Sequence, residues 1–240
     1  MGKQHILQEY YARYLTEVRN SSESTVRHYY DALNNISRRL KEKGLITETI
    51  YEVESLERLF ELRDLLYADE DFIDLNTRGK RMYSAGLNNY CRFASGDHFF
   101  EAREKIKVLD VPMVPEKSAS SSRSSWKRSN IIRTQAIELA GYECELDHAH
   151  HSFLAEKTHK PYMEGHHALP MSLQEYFTNS LDVYANVICL CPICHRRIHH
   201  GLKDDRIQML NQIYVMRSDR LSNCGIKLSK EEFSDLVMSV

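Results

Sequence analysis

Four histidines in the second half of the chain have a spacing that suits a metal-binding site. His166 and His167 are adjacent, and His195 and His199 are four residues apart. Residues four apart on a helix share one face, whereas neighbours on a strand point to opposite faces. His166, His195 and His199 could therefore hold a divalent ion as neutral imidazoles, with coordination positions left for water and a phosphate oxygen. His167, on the other side of its strand, would be free to act as a base.

Two short strands and a helix must position these side chains. Residues 162–168 contain the histidine pair and favour a strand that ends near Pro170. Residues 186–191 include the β-prone run VICLC, which favours a second strand. Pro192 suits the first turn of a helix, where its missing N–H is not needed. This order of elements predicts that the three histidines meet at one point.

The same residues resemble the HNH (ββα-metal) endonuclease family, including the McrA-like bacterial restriction enzymes. The family pattern is His or Asp followed by His on the first strand, Asn on the second strand and His on the helix. His166-His167, Asn186 and His195 follow it in order, and His199 matches the subgroup with two helix histidines. The resemblance covers about residues 140–225. The connection between His167 and Asn186 is longer than in minimal members.

The resemblance implies a role for each matching residue. His166, His195 and His199 would bind the catalytic divalent metal, Mg²⁺, Mn²⁺ or a similar ion. His167 would be the general base that activates water for phosphodiester hydrolysis, leaving 5′-phosphate ends. Asn186 would hold the loop of the base by hydrogen bonding rather than bind metal. The implied partner is double-stranded DNA.

A structural zinc site is also indicated. Four of the six cysteines lie between residues 144 and 194, and nine of the twelve histidines lie between 148 and 200. Cys191-x2-Cys194 is half of a zinc-knuckle pattern, but Asp147 occupies the position where a second pair would need its cysteine. Related HNH proteins pair one cysteine with a histidine six residues further on. This resemblance implies a Cys3His zinc site, with His148 and His151 as rivals for the histidine; its members are Cys144, His150, Cys191 and Cys194.

The overall composition is that of a globular protein. Hydrophobic residues make up 42% of the chain and charged residues 28%, and the formal net charge is −2. This charge argues against a globally basic coat protein for nucleic acid, but an enzyme needs only a local basic stripe. No run has the length and apolar character of a membrane span. The N-terminus lacks the features of a secretory signal, so we expect a cytoplasmic protein without membrane contact.

The expected fold class is α+β, in three parts. Residues 1–110 show apolar residues at helical spacing and predict an all-α domain for DNA binding or targeting. Residues 111–130 form a basic, serine-rich linker, a composition that cannot bury a core. Residues 131–240 are expected to form a zinc-stabilised HNH domain with helices at its C-terminal end. Two cuts in opposite strands would need two active sites, which favours a homodimer.

Seven basic residues are candidate DNA contacts. Two segments of the N-terminal domain, Ser24–Leu33 and Asn76–Tyr90, resemble helical parts of other bacterial restriction proteins, and the first also resembles the core-binding part of tyrosine recombinases. That resemblance implies phosphate contacts, although a packing or dimerisation domain fits equally well. The linker and the last helix of the HNH motif supply the remaining cations, which also suit solvated surfaces. The candidates are Arg78, Lys80, Arg81, Lys127, Arg128, Arg196 and Arg197.

Two alternatives use the same ligands differently. A C2H2 finger needs about twelve residues between its cysteines and its histidines, but His195 directly follows Cys194. A non-catalytic, zinc-dependent DNA-binding module would explain the cysteines and leave His166, His167 and His199 without a role. A nuclease with little sequence preference is the alternative within enzymes. The recognition sequence and any dependence on modified bases are not encoded in these motifs.

Overall fold

The protein is described by a computed structural model over residues 5–117 and 126–240. Two compact units divide the chain, Met1–Asp97 and His98–Val240. The sequence predicts a domain boundary at residue 110, which is 13 residues later than this division. Ile106 and Leu109 are buried, and Asp110 is buried against Arg220. These contacts explain why residues 98–110 belong to the C-terminal unit.

The described residues of the N-terminal unit form helices joined by short loops. Its helices are α1 (Ile6–Arg13), continued by a π-helical turn (Tyr14–Val18), α2 (Glu23–Glu42), α3 (Leu56–Tyr67), α4 (Glu70–Arg78) and α5 (Met82–Ala94), with a 3-10 turn at Ile50–Glu52. Helices α2 and α5 pack closely because α5 carries Gly86, where an added Cβ would lie 2.8 Å from that of Ala32. The core between these helices is rich in tyrosine, with Tyr11, Tyr51 and Tyr90 in mutual ring contact.

The C-terminal unit places a two-stranded sheet among helices. Its elements are α6 (Arg103–Ile106), α7 (Asn130–Leu139), β1 (Glu164–His167), β2 (Val187–Leu190), α8 (Pro192–His200), α9 (Lys203–Asn223) and α10 (Lys230–Met238), with 3-10 turns at Lys107–Leu109, Met171–Tyr176 and Tyr184–Asn186. The fold class over the described residues is therefore α+β. None of the helices described here is both long and apolar enough to cross a membrane.

Strands β1 and β2 are antiparallel, with His166 opposite Ile188 and His167 opposite Val187. Both strands are shorter than the sequence predicts. Residue 191 leaves the strand because the Cys191 side chain caps α8 by accepting a hydrogen bond from the Cys194 amide. Pro192 follows in the first turn of α8, where an N–H would have no partner within the helix. Helices α7 and α8 both contact the two strands, so side chains from three elements meet at β1.

The predicted linker, 111–130, is described only at its two flanks, because residues 118–125 lie outside the described residues. The flanks pair through an antiparallel bridge between Lys117 and Trp126. The Lys117 ammonium lies 5.2 Å from the centroid of the Trp126 ring, and the indole Nε1 donates to Glu175. Both flanks are therefore attached to folded structure of the C-terminal unit.

Candidate functional site

The three histidines predicted to share a metal ion lie together. His166 comes from β1, and His195 and His199 come from one face of α8. Their ring centroids are 5.1, 4.9 and 5.0 Å apart in pairs. One nitrogen from each ring lies within 4.8 Å of the others, which is close enough for a shared ion. A strand and a helix thus bring these three residues together. We call them the histidine cluster.

His166 is in the state that a metal ligand needs. Its ring is buried, and Nε2 has no hydrogen-bond partner. Burial, and then the neighbouring His195 and His199, lower the pKa of His166 to about 3. The imidazole is therefore neutral near pH 7, with a lone pair available. Since a buried nitrogen without a partner is costly, a cation among the three rings would satisfy it.

A carboxylate orients His195. Glu164 lies two residues before His166 on β1, and its Oε2 accepts a 2.5 Å hydrogen bond from His195 Nδ1. Its other oxygen accepts from the Tyr162 hydroxyl at 3.2 Å. With Nδ1 engaged, His195 presents Nε2 to the cluster, the arrangement by which carboxylates fix metal-binding histidines. Glu164 was not among the predicted site residues, although strand alternation alone puts it on the same side as His166.

His167 is held by a different carboxylate. Its Nε2 donates to Asp182 Oδ1 at 2.8 Å, and Asp182 Oδ2 accepts from the Ser129 amide at 2.7 Å. Asp182 is 4% exposed, so both of its oxygens are engaged away from bulk water. The bond leaves Nδ1 of His167 as the nitrogen available to a water molecule. Asp182 was also absent from the predicted site, and its spacing from His167 carries no sequence signal.

Asn186 closes the connection between the two strands. It is fully buried, and its Nδ2 donates to the carbonyls of Leu169 and Leu181 at 2.9 and 2.8 Å. Its Oδ1 accepts from the Leu169 amide at 2.8 Å. These three bonds hold the segment that follows His167 and engage both ends of the Asn186 carboxamide.

The histidines open into a cleft of about 450 Å³. Arg128 and Arg133 line it together with His166, His167, His195 and His199. Arg133 projects from α7 across β1 at Gly165, where an added Cβ would lie 2.2 Å from Arg133 Cγ. Glycine is therefore required at the residue before the histidine pair to let this arginine reach the cleft. Arg133 is a candidate anion ligand that the predicted set omitted.

A second cluster combines the cysteines with His150. One ligand atom from each of Cys144, His150, Cys191 and Cys194 lies within 4.8 Å of the others. His150 Nδ1 is 3.6 Å from Cys191 Sγ and 3.2 Å from Cys194 Sγ. A tetrahedral Zn²⁺ ion with ordinary bond lengths places sulfur and nitrogen ligands about 3.6 Å apart. This mostly buried Cys3His group could hold a metal such as zinc.

Local contacts select His150 from its neighbours. Asp147 Oδ2 lies 3.3 Å from His150 Nε2, which turns Nδ1 towards the cysteines. His148 is exposed and faces Glu143 instead, at 3.0 Å. His151 is exposed and lies outside the Cys3His group. Burial and the adjacent Cys144 and Cys191 raise the pKa of the Cys194 thiol, so a cation is needed to stabilise its thiolate.

The predicted DNA contacts are distributed over several surfaces. Arg78 ends α4, and Lys80 and Arg81 form the turn before α5, so only Arg81 stands at a helix start. Lys127 lies 3.5 Å from the buried Glu116, which turns it towards the protein. The remaining three candidates belong to the C-terminal unit: Arg128 in the cleft, Arg196 exposed on α8, and Arg197 paired with Asp205.

No protein-family model, curated protein or solved structure matches the chain. The interpretation of the two clusters therefore depends on their own geometry and chemistry.

Proposed function

We propose that this protein is a metal-dependent DNA endonuclease of the HNH (ββα-metal) type. The observation that carries the proposal is the convergence of three imidazoles, His166, His195 and His199, in a cleft beside a fourth imidazole, His167, that a carboxylate holds. The β–β–α order of the supporting elements agrees with the family that the sequence resembles. The DNA partner, the cytoplasmic location and a homodimeric assembly belong to this proposal.

The donor atoms fit the two metals that the proposal needs. His166, His195 and His199 would hold the catalytic divalent ion, since three imidazole nitrogens meet there and one of them is buried without a partner. When bound, such an ion supplies positive charge that stabilises the transition state of phosphodiester hydrolysis. Cys144, His150, Cys191 and Cys194 would hold a structural Zn²⁺, because thiolates and a single imidazole are typical zinc ligands.

The side chains around the cleft supply the remaining chemistry. His167 donates through Nε2 to Asp182, so its Nδ1 accepts a proton from the attacking water. The water oxygen bonds to phosphorus as the bond to the 3′ oxygen breaks, and solvent protonates that oxygen. The products are a 5′-phosphate and a 3′-hydroxyl. Arg133 and Arg128 bind the phosphate through charge-assisted hydrogen bonds, and Asn186 keeps the His167 segment in place.

We infer that this chemistry serves a restriction-type role. The dependence of cleavage on base modification is measured in the experiment below. The second candidate is a non-catalytic, zinc-dependent DNA-binding module. The Cys3His group favours it, because that group alone would stabilise a small fold. The two candidates differ in whether the histidine cluster and His167 are needed for phosphodiester cleavage.

Incubation of the purified protein with plasmid DNA tests the proposal. Modified and unmodified plasmids are each treated with Mg²⁺, Mn²⁺, Co²⁺ or Ni²⁺, and nicking and linearisation are followed on gels. We expect cleavage by the wild-type protein and a loss of at least about 100-fold in H167A, with DNA affinity retained. H200A is the matched control, because His200 is exposed on α8 outside the histidine cluster. Equal cleavage by H167A would show that His167 is not the general base. DNA binding without cleavage under all conditions would favour the non-catalytic module.

A further inference from the structure

A hairpin-like segment beside the cleft presents an exposed aromatic pair. Residues 153–162 fold back through a bridge between Leu154 and Pro161, and the Tyr162 amide donates to the Phe153 carbonyl at 2.7 Å. Lys160 anchors the segment to α7 through hydrogen bonds to both oxygens of Glu138, at 3.0 and 3.1 Å. The aromatic pair therefore stands on a backbone that is fixed by hydrogen bonds at its base and at its side.

The two rings are stacked. Phe153 and Tyr162 have centroids 4.9 Å apart and planes inclined by 11°. Phe153 is nevertheless 65% exposed and Tyr162 is 38% exposed. One face of Phe153 packs on Tyr162. Most of the ring surface remains in water, and covering this apolar surface would be favourable. A planar ligand that covers Phe153 would therefore find a preformed surface and lose little conformational freedom.

The pair is continuous with the histidine cluster. Tyr162 lines the same cleft as His166, His195 and His199. Its hydroxyl donates to Glu164, and Glu164 in turn accepts from His195. Two hydrogen bonds therefore join the aromatic pair to a proposed metal ligand. A group that stacks on Phe153 would lie beside whatever occupies the cleft.

The surrounding charge favours an anionic polymer with flat rings. Arg128 and Arg133 line the cleft together with Glu164, which accepts hydrogen bonds from His195 and Tyr162. Arg196 lies within electrostatic range of Tyr162. Cations for a phosphate backbone beside an aromatic ring for a base form the combination that binds unstacked nucleic acid. The core of a protein–protein interface is usually apolar and poor in charged residues. The ring pair is instead bordered by cations, which favours nucleic acid.

We propose that Phe153, supported by Tyr162, is a stacking platform for a nucleobase next to the phosphate in the cleft. The inference rests on the proposed function, because nucleic acid must lie over the histidine cluster. The platform reads no base sequence, since every base has a π face. It favours DNA whose bases are already unstacked, such as single strands, mismatches or kinked sites, where separation of a base from its neighbours costs least.

Binding of fluorescein-labelled and 2-aminopurine-labelled single-stranded oligonucleotides to the zinc-loaded full chain tests the platform. The measurements are made without added divalent ion and in the H167A background, so that no DNA is cut. We expect F153A and F153L to weaken binding about ten-fold, the loss of one stacked base, and to abolish 2-aminopurine quenching. F153W should retain both. L154A is the matched control, because Leu154 is 64% exposed on the same segment but has no ring, and its affinity should change less than two-fold.

Several results would overturn the platform. Equal DNA affinity of F153A and its H167A parent would do so, as would an equal loss in L154A, which would indicate general apolar contact rather than stacking. Loss of self-association in F153A with unchanged DNA affinity would assign the rings to a protein interface. Zinc content is measured in each variant to show that the fold is intact. The plasmid assay separates the two proposals. Cleavage that does not depend on Phe153 would support the nuclease and contradict the platform. DNA binding that depends on Phe153, without any cleavage, would support the platform and contradict the nuclease.

Discussion

Nε2 of His167 donates a 2.8 Å hydrogen bond to Oδ1 of the buried Asp182, which lies on the connection between β1 and β2. With Nε2 engaged, Nδ1 is the ring nitrogen left to accept a proton. In the same cleft, Glu164 does the equivalent for His195. Each of two proposed functional histidines is thus paired with its own carboxylate, and the two pairs suggest separate tests.

Removal of the charge on Asp182 should slow the chemical step. In D182N, the amide can donate to His167 and favour the tautomer with its proton on Nδ1, where a base needs a lone pair. We expect the single-turnover cleavage rate to fall about 100-fold with DNA affinity unchanged. Rapid-quench assays with enzyme in excess measure the rate, and anisotropy measures binding. D204N, at an exposed position on α9, is the control. A fall in affinity with an unchanged rate would contradict the positioning role.

Substitution of Glu164 should weaken the catalytic metal rather than the zinc. E164Q removes the charged acceptor that orients His195, a type of change that commonly costs 10- to 100-fold in metal affinity. Titration of the zinc-loaded protein with Mn²⁺, followed by electron paramagnetic resonance, gives the dissociation constant. E156Q, an exposed carboxylate on the hairpin-like segment, should bind Mn²⁺ like the wild type. Identical constants for E164Q and E156Q would show that Glu164 does not support the ligand.

Loss of one cysteine from the Cys3His group should release its metal. We expect C194S to lose one equivalent of zinc and to unfold at a much lower temperature, because the free energy of structural zinc binding contributes directly to folding. C224S is the control within the same unit. Cys224 is also buried, but it lies outside the Cys3His group. Metal analysis and calorimetry measure both effects, and zinc retained in C194S would exclude the site.

The buried pair of Arg217 and Glu145 should matter more for stability than the exposed pair of Arg197 and Asp205. Arg217 is 6% exposed and donates to Glu145 at 2.6 Å, beside the zinc ligand Cys144 proposed above. R217A leaves a partly buried carboxylate without its cation, so we expect a loss of about 3–5 kcal/mol in the free energy of unfolding. R197A should lose less than about 1 kcal/mol. Urea unfolding compares the two, and similar losses would contradict the prediction.

Features with a short-range signature could be predicted from the sequence. The four-residue spacing of His195 and His199 determines that they share a face once the segment is helical, and Pro192 indicates where that helix begins. The β-prone run before Pro192 indicates the second strand. The concentration of cysteine and histidine indicates metal sites, because clusters of these residues in a chain are typical of metal binding. Local rules of this kind need no knowledge of the rest of the fold.

The remaining decisions required the tertiary structure. Asp182 and Arg133 join the site from a loop and from another helix, and no periodicity connects either residue to the histidines. Asp147 orients His150, whereas His148 faces Glu143. The buried Glu116 holds Lys127 in an ion pair. The sequence determined which residues could carry the chemistry. Only the packing of α7, β1 and α8 decided which partners orient them, because hydrogen bonds and burial depend on distances between segments that are remote along the chain.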